Sequence, residues 1–248
     1  MSVLGLPDDI HAFLFDLDGV ITQTATVHAA AWKATFDALL RDRAQAGGEP
    51  FVAFDAHHDY DAYVDGKPRE AGVRDFLASR GIDLPEGHAD DAPGTATVAG
   101  IGNAKNDAVL AIIKRDGVRV YDGSVRYVHA VRDAGRPRAV VSSSTNTRAV
   151  LESVALLDLF DAIVDGHVTH ARGLAGKPAP DTFLYGAQLL GVGPAHAAVF
   201  EDALAGVEAG RAGRFGAVVG VDRVGQADAL REHGAGLVVA DLAELLAP

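Results

Sequence analysis

Six short apolar runs, five stopping directly on a polar residue or glycine and the sixth on Ala240-Asp241, constrain this chain more than any other feature. They are Ala12–Phe15, Ala139–Val141, Ala162–Val164, Ala197–Phe200, Ala217–Val219 and Leu237–Val239. Each is too short for a helix, and Val, Ile, Leu and Phe suit them to buried strands. Stretches patterned as helices, over about 126–134, 147–157, 181–190, 204–211 and 226–233, separate them. Strands that alternate with helices in this way specify an α/β fold, a parallel sheet covered by helices on both faces.

The stretch between the first two runs has a different character. Val27–Leu40, Ala71–Arg80 and Asn103–Lys114 read as helices, Arg41–Pro50 as a polar connector and Glu86–Gly94 as a loop. Residues 25–117 are therefore expected to form a mostly helical insertion, with 1–24 and 118–248 making the α/β core. The 248 residues are enough for a large core in one or two domains.

The strand ends carry the chemistry. The first run leads into Asp16-Leu17-Asp18-Gly19, the second into Ser142-Ser143-Ser144 and the fourth into Glu201-Asp202. In an open parallel sheet, ligands gather at the carboxyl ends of the strands, so these groups share one rim. Side chains two apart at a strand end point the same way, which lets Asp16 and Asp18 converge. Like charges that close call for a cation or a shared proton. Carboxylates, hydroxyls and a lysine on one rim suit Mg²⁺ and a phosphate group.

The formal net charge is −12 and no basic block occurs, which argues against a nucleic-acid partner. An acidic chain that binds an anion must place its few cations locally. There is no cysteine, which excludes disulfides, thiol chemistry and zinc-thiolate centres. No apolar run reaches membrane-spanning length, and Met1–Ile10 lacks the pattern of a signal peptide. A cytoplasmic protein without a membrane partner, monomeric or a weak homodimer, is expected. The cluster Asp55, His57, His58, Asp59 and Asp61 lacks metal-binding spacing and is expected to be a solvated loop.

Four segments in order resemble the motifs of the haloacid dehalogenase superfamily of phosphotransferases: Asp16-Leu17-Asp18-Gly19-Val20, Ser142 after a Val-Val strand, Lys177 in Gly176-Lys177-Pro178, and Glu201-Asp202. The resemblance implies a Rossmann-like core with an inserted helical cap. It makes Asp16 the nucleophile that takes the phosphoryl group and Asp18 the general acid/base. It makes Lys177 and Ser142 the catalytic partners that hold phosphoryl charge. It implies Mg²⁺ bound by Asp16, the backbone carbonyl of Asp18, Asp202 and, in or near the first shell, Glu201.

Within the superfamily the insertion resembles the β-phosphoglucomutase branch. The carrying segments are His28 before Ala31-Trp32-Lys33, Asp65-Gly66-Lys67-Pro68-Arg69-Glu70, Gly102-Asn103-Ala104-Lys105-Asn106 and Ser144-Thr145-Asn146. By that resemblance Arg69, Ser144, Thr145 and Asn146 hold the non-transferring phosphate of a sugar phosphate. His28, Gly66, Lys67 and Lys105 then contact the sugar or orient Asp18. Two departures stand out. Gln23 occupies a hinge position that is more often Asp in the family, and the segments Ala44–Asp61 and Gly87–Gly100 are longer than a minimal cap needs.

The implied activity is interconversion of β-D-glucose 1-phosphate and glucose 6-phosphate through an aspartyl phosphate and the 1,6-bisphosphate. A sugar-phosphate phosphatase, with water as acceptor, would use nearly the same residues. A non-enzymatic phospho-receiver would need neither Asp18 nor the insertion. A dehalogenase would need neither Asp18 nor the Glu201-Asp202 pair.

Overall fold

The computed structural model describes residues 4–47 and 50–246. Residues 48 and 49 of the expected connector, and residues 1–3 of the N-terminal stretch, lie outside the described residues. The chain divides into two compact units, Met1–Gln23 with Val118–Pro248, and Thr24–Gly117.

The first unit is built on a six-stranded, wholly parallel sheet in the order β3-β2-β1-β4-β5-β6. The strands are β1 (Ala12–Phe15), β2 (Arg138–Val141), β3 (Ala162–Val164), β4 (Ala197–Glu201), β5 (Ala217–Val221) and β6 (Leu237–Val239). The chain lays β2 and β3 on one side of β1, then returns to place β4, β5 and β6 on the other. That reversal makes the β1–β4 crevice the topological switch point of the sheet. Phe15 pairs with Phe200 of β4 on one side and with Val140 of β2 on the other.

Strand alternation sorts the two faces by size. Phe13 and Phe15 point to one face, where the Phe15 and Phe200 rings stack with centroids 4.5 Å apart. Tyr127, from α4 (Asp122–Asp133), meets both phenylalanines edge-on. Ala12 and Leu14 point to the other face and pack with Val141, Val199, Phe183 and Val207. These last two come from α7 (Asp181–Leu189) and α8 (Leu204–Ala212). Gly186 lets α7 press onto the sheet, since a Cβ there would lie 2.8 Å from Leu14 Cδ2.

The second unit holds α1 (Ala25–Gln45), α2 (Arg69–Ser79) and α3 (Val98–Asp116), with a π-helical turn over Tyr60–Val64. Its core is aromatic. Phe36 lies against Trp32 at 4.9 Å, Phe54 at 5.3 Å and Phe76 at 4.1 Å between ring centroids.

Several expected boundaries move. α1 continues through Arg41–Gln45, half of the expected connector. α3 starts at Val98, five residues earlier than the apolar pattern suggests, because Thr97 caps it by accepting from Gly100 N at 2.9 Å. α5 (Thr147–Ser153) stops four residues short of the expected 157, and a short 3₁₀ turn over Leu157–Leu159 follows. An unexpected α6 (Gly166–Arg172) follows β3; Asp165-Gly166 reads as a turn, yet Asp165 caps a helix through Val168 N at 2.8 Å. Three further helices match their expected positions closely, α7, α8 and α9 (Ala227–His233).

The acidic stretch 55–61 is not simply solvated. Asp55 accepts from the N–H groups of His57 and His58, and Asp59 is buried, accepting from Arg80 at 2.6 Å and from Asp55 N at 2.9 Å. These carboxylates start a helical turn and anchor α2, and among the described residues they form no metal-ligating group. Gln23 has its own use. Its backbone N–H donates to Arg119 O and its side-chain amide to Val120 O at 3.0 Å. A carboxylate at that position has no proton to donate to a carbonyl.

Candidate active site

The carboxyl ends of β1, β2 and β4 converge as the strand order requires. Asp16 follows β1 directly, and its N–H still pairs with Phe200 O of β4 at 3.0 Å. Lys177 reaches the same place from the loop before α7. Its ammonium donates to Asp16 Oδ1 at 2.5 Å, Glu201 Oε1 at 2.5 Å and Val141 O at 3.0 Å. The lysine side chain is 1% exposed, so all three of its donors are spent inside the protein.

Glu201 closes β4 and is fully buried. Its other oxygen accepts from Ala203 N at 3.0 Å. Asp202 follows. One carboxylate oxygen each from Asp16, Glu201 and Asp202 lie within 4.8 Å of one another, and all three residues are buried. Three buried carboxylates gathered this closely form a hard, oxygen-only donor set that fits a divalent cation.

The electrostatics follow from burial. Desolvation pushes the Asp16 carboxyl well above the ordinary carboxylate range; Lys177 opposes this, while Glu201 and Asp18 add to it. Burial alone would depress Lys177, but the facing Asp16 and Glu201 carboxylates overcome it and hold the ammonium above its ordinary value.

Asp18 is not a member of this triad, though its charge acts on Asp16. The loop that carries it is wound tight: Ile21 N and Thr22 N donate to Leu17 O, and Gly19 N donates to Thr22 O at 2.7 Å. Ser142 Oγ donates to Asp18 Oδ2 at 3.4 Å, a long bond, and accepts from Ser144 N at 3.1 Å. Gly19 has φ +87°, and a Cβ there would fall 1.7 Å from Asp202 Oδ2. Only a glycine lets this loop and the Asp202 carboxylate approach so closely.

The rest of the Ser-rich loop is ordered from within. Ser144 Oγ accepts from Asn146 N at 3.1 Å, Ser144 O accepts from Thr147 Oγ1, and Thr145 lies against Gly166 at the start of α6. Ser142, Ser144, Thr145 and Asn146 therefore form one turn at the carboxyl end of β2, leading into α5.

A second group assembles within the helical unit. Lys105 on α3 is buried, its Nζ 2.7 Å from His28 Nδ1 of α1 and 4.9 Å from the centre of the Trp32 ring. Lysine has no acceptor, so the ring nitrogen accepts. One turn earlier on α3, Gly102 faces the aliphatic stem of Arg69. Arg69, the first residue of α2, donates to Glu70 Oε1 at 3.2 Å. Gly66, with φ +69°, turns the chain toward α2. Lys67 is drawn away to Asp75 at 2.8 Å and Ala62 O at 3.3 Å. The structure thus brings His28, Lys105 and Arg69 to neighbouring positions and gives Lys67 an ion pair of its own.

Two residues that no motif singles out also reach the acidic site, Arg223 and Gln226 in the loop after β5. Their only sequence signal is their place just beyond a strand end.

Residues 10–214 match the family model of haloacid dehalogenase-like hydrolases. The chain is 57% identical over 247 residues to a β-phosphoglucomutase of Mycobacterium bovis, spanning 98% of this chain and 94% of that one. A β-phosphoglucomutase of Bacillus subtilis is 33% identical over 84% of this chain and 83% of its own length. Among solved structures, a β-phosphoglucomutase from Clostridium difficile superposes with a TM-score of 0.73 at 26% identity, covering 95% and 93% of the two chains. No helix among the described residues is long and apolar enough to cross a membrane.

Proposed function

The chain belongs to the haloacid dehalogenase-like hydrolase family, in its β-phosphoglucomutase-like branch, and from that membership we infer an enzyme that interconverts β-D-glucose 1-phosphate and glucose 6-phosphate. One observation carries the chemical side of the reading. The two aspartates of the first loop have different surroundings: Asp16 belongs to the buried carboxylate triad with Lys177, and Asp18 lies outside that triad and accepts from Ser142. Carboxylates held in different environments can divide the roles of nucleophile and proton carrier.

In this reading Asp16 attacks phosphorus and becomes the aspartyl phosphate. Asp18 protonates the leaving sugar oxygen and takes the proton from the next acceptor hydroxyl. Lys177, held charged between Asp16 and Glu201, offsets negative charge as the phosphoryl group moves. Ser142 and the N–H groups before α5 hold phosphoryl oxygens. Asp16, the Asp18 carbonyl and Asp202 would hold Mg²⁺, with Glu201 beside them. When bound, the ion counters repulsion between these carboxylates and the anionic substrate.

Arg69, Ser144, Thr145 and Asn146 would bind the non-transferring phosphate. His28, Gly66, Lys67 and Lys105 would contact the sugar or orient Asp18. After the first transfer the bisphosphate reorients, and Asp16 accepts the other phosphate. A cysteine-free chain acting on a sugar phosphate fits the cytoplasm.

A coupled assay tests this. It follows β-glucose 1-phosphate to glucose 6-phosphate in Mg²⁺, with and without catalytic glucose 1,6-bisphosphate, while free phosphate is monitored. Isomerisation primed by the bisphosphate with little phosphate release is expected. Stoichiometric phosphate release without isomerisation would make the enzyme a phosphatase.

A further inference from the structure

The loop between β5 and α9 is organised before it touches the active site. Asp222 Oδ1 accepts from the N–H groups of Val224 at 3.3 Å, Gly225 at 2.7 Å and Gln226 at 2.8 Å. Asp222 N also donates to Val239 O of β6 at 2.8 Å. One carboxylate gathering three consecutive backbone donors closes a defined turn.

Two side chains leave that turn toward the acidic loops. Arg223 donates from Nε to Gly19 O at 2.8 Å and from Nη2 to Val20 O at 3.3 Å. Its remaining donors go to Ala240 O at 2.7 Å and Ser124 Oγ at 3.2 Å, and its guanidinium lies 3.5 Å from the centre of the Tyr121 ring. The side chain is 12% exposed, and its Nη1 lies 3.8 Å from Asp241 Oδ2. The cation is thus spent mainly on backbone oxygens. Gln226 Nε2 donates to Asp202 O at 2.9 Å.

The two loops held in this way also touch each other. The Asp202 carboxylate lies against the α-carbon of Gly19 so closely that a Cβ could not fit. A shift in either backbone therefore moves a carboxylate of the site. A simple stitch between loops could attach anywhere along them, but these two attach at the residue after Asp18 and at Asp202 itself.

We propose that Arg223 and Gln226 are positioning residues for phosphoryl transfer, Arg223 fixing the backbone that follows Asp18 and Gln226 fixing the backbone of Asp202. The proposal rests on the phosphotransfer reading above and adds two residues that lie outside the four motifs. Neither touches the reacting atoms; each acts through the loop it holds.

The test uses the full chain and the variants Arg223→Lys, Arg223→Ala and Gln226→Ala. Mg²⁺ binding is titrated by calorimetry without substrate, beside melting temperatures and steady-state kinetics. Arg223→Ala and Gln226→Ala are expected to weaken Mg²⁺ binding by about threefold to tenfold. They should lower kcat by about tenfold or more, with KM for β-glucose 1-phosphate held within about threefold, since small misplacements cost rate more than binding. Arg223→Lys keeps the charge but loses the planar fork, so it should recover only part of the loss.

Wild-type Mg²⁺ affinity and kcat in variants that only melt lower would reduce both residues to loop stitching and overturn the proposal. Gln226→Ala removes one half-buried side chain and decides the matter if Arg223→Ala does not fold. A wild-type chain that binds Mg²⁺ without isomerising the sugar phosphate would sink the functional reading alone, because the metal titration still reads both residues.

Discussion

Asp16 and Asp18 sit two residues apart and meet different partners, and the difference comes from which strand ends beside them. Asp16 faces Glu201 and Lys177 because β4 pairs with β1 on one side; Asp18 meets Ser142 because β2 pairs on the other. Replacing one member of a buried, charge-paired group costs more than its net worth, because the partner stays buried. In Asp16→Asn, Lys177 keeps Glu201 and a neutral acceptor, so the variant is expected to fold. It should lose isomerisation by at least about a thousandfold, since an amide cannot take the phosphoryl group. Acid-stable capture of labelled phosphate on the protein checks this, and normal labelling would remove Asp16 as nucleophile. The residues of the acidic triad were legible in the sequence because a strand end dictates where its side chains go. Arg223 and Gln226 were not, because any exposed Arg or Gln can donate to a carbonyl, and only the folded loops show which carbonyls these two reach.

At the scale of elements, the helical unit gathers cations through helix contacts rather than through a strand edge. Gly102 and Lys105 are three apart on α3 and so share a face, which places the Arg69 stem beside the Lys105–His28 pair. Packing explains the neighbourhood, while the Glu70 contact is a half-exposed ion pair between chain neighbours, worth only about 1 kcal/mol. So weak a tie leaves the guanidinium available to a phosphate. Arg69→Ala is expected to raise the dissociation constant of glucose 1,6-bisphosphate by about tenfold or more, as befits loss of a charge-assisted bond, and to change that of inorganic phosphate little. Calorimetric titrations of both ligands decide it, and equal weakening would argue against a grip on the distal phosphate. Helix existence was readable from apolar spacing here, but starts and ends were not. The start of α3 depends on the Thr97 cap, and α6 hides behind an Asp-Gly pair that serves equally well as a turn.

For the whole molecule, the consequential fact is that each unit has a separate core. Phe36, Phe54, Val73 and Phe76 belong to one cluster within Thr24–Gly117, while Leu14, Val141, Phe183 and Val199 belong to another in the α/β unit. The sequence shows this division as a change of texture, from short β-branched runs to an insertion with aromatic helices. Separate cores allow separate loss of structure. Phe76 is fully buried and packs on Phe36, Phe54 and Tyr63, so Phe76→Ala should cost about 3–5 kcal/mol, enough to unfold a small helical unit. The expected result is faster hydrogen exchange across residues 24–117 with protection retained in β1, β2 and β4, and Mg²⁺ affinity close to that of the wild type. Isomerisation should disappear, because the residues proposed to bind the sugar and distal phosphate lose their frame while the acidic triad keeps its own. Exchange that quickens equally in the sheet would show a single cooperative structure, and the carboxylate site would then depend on the aromatic core of the insertion.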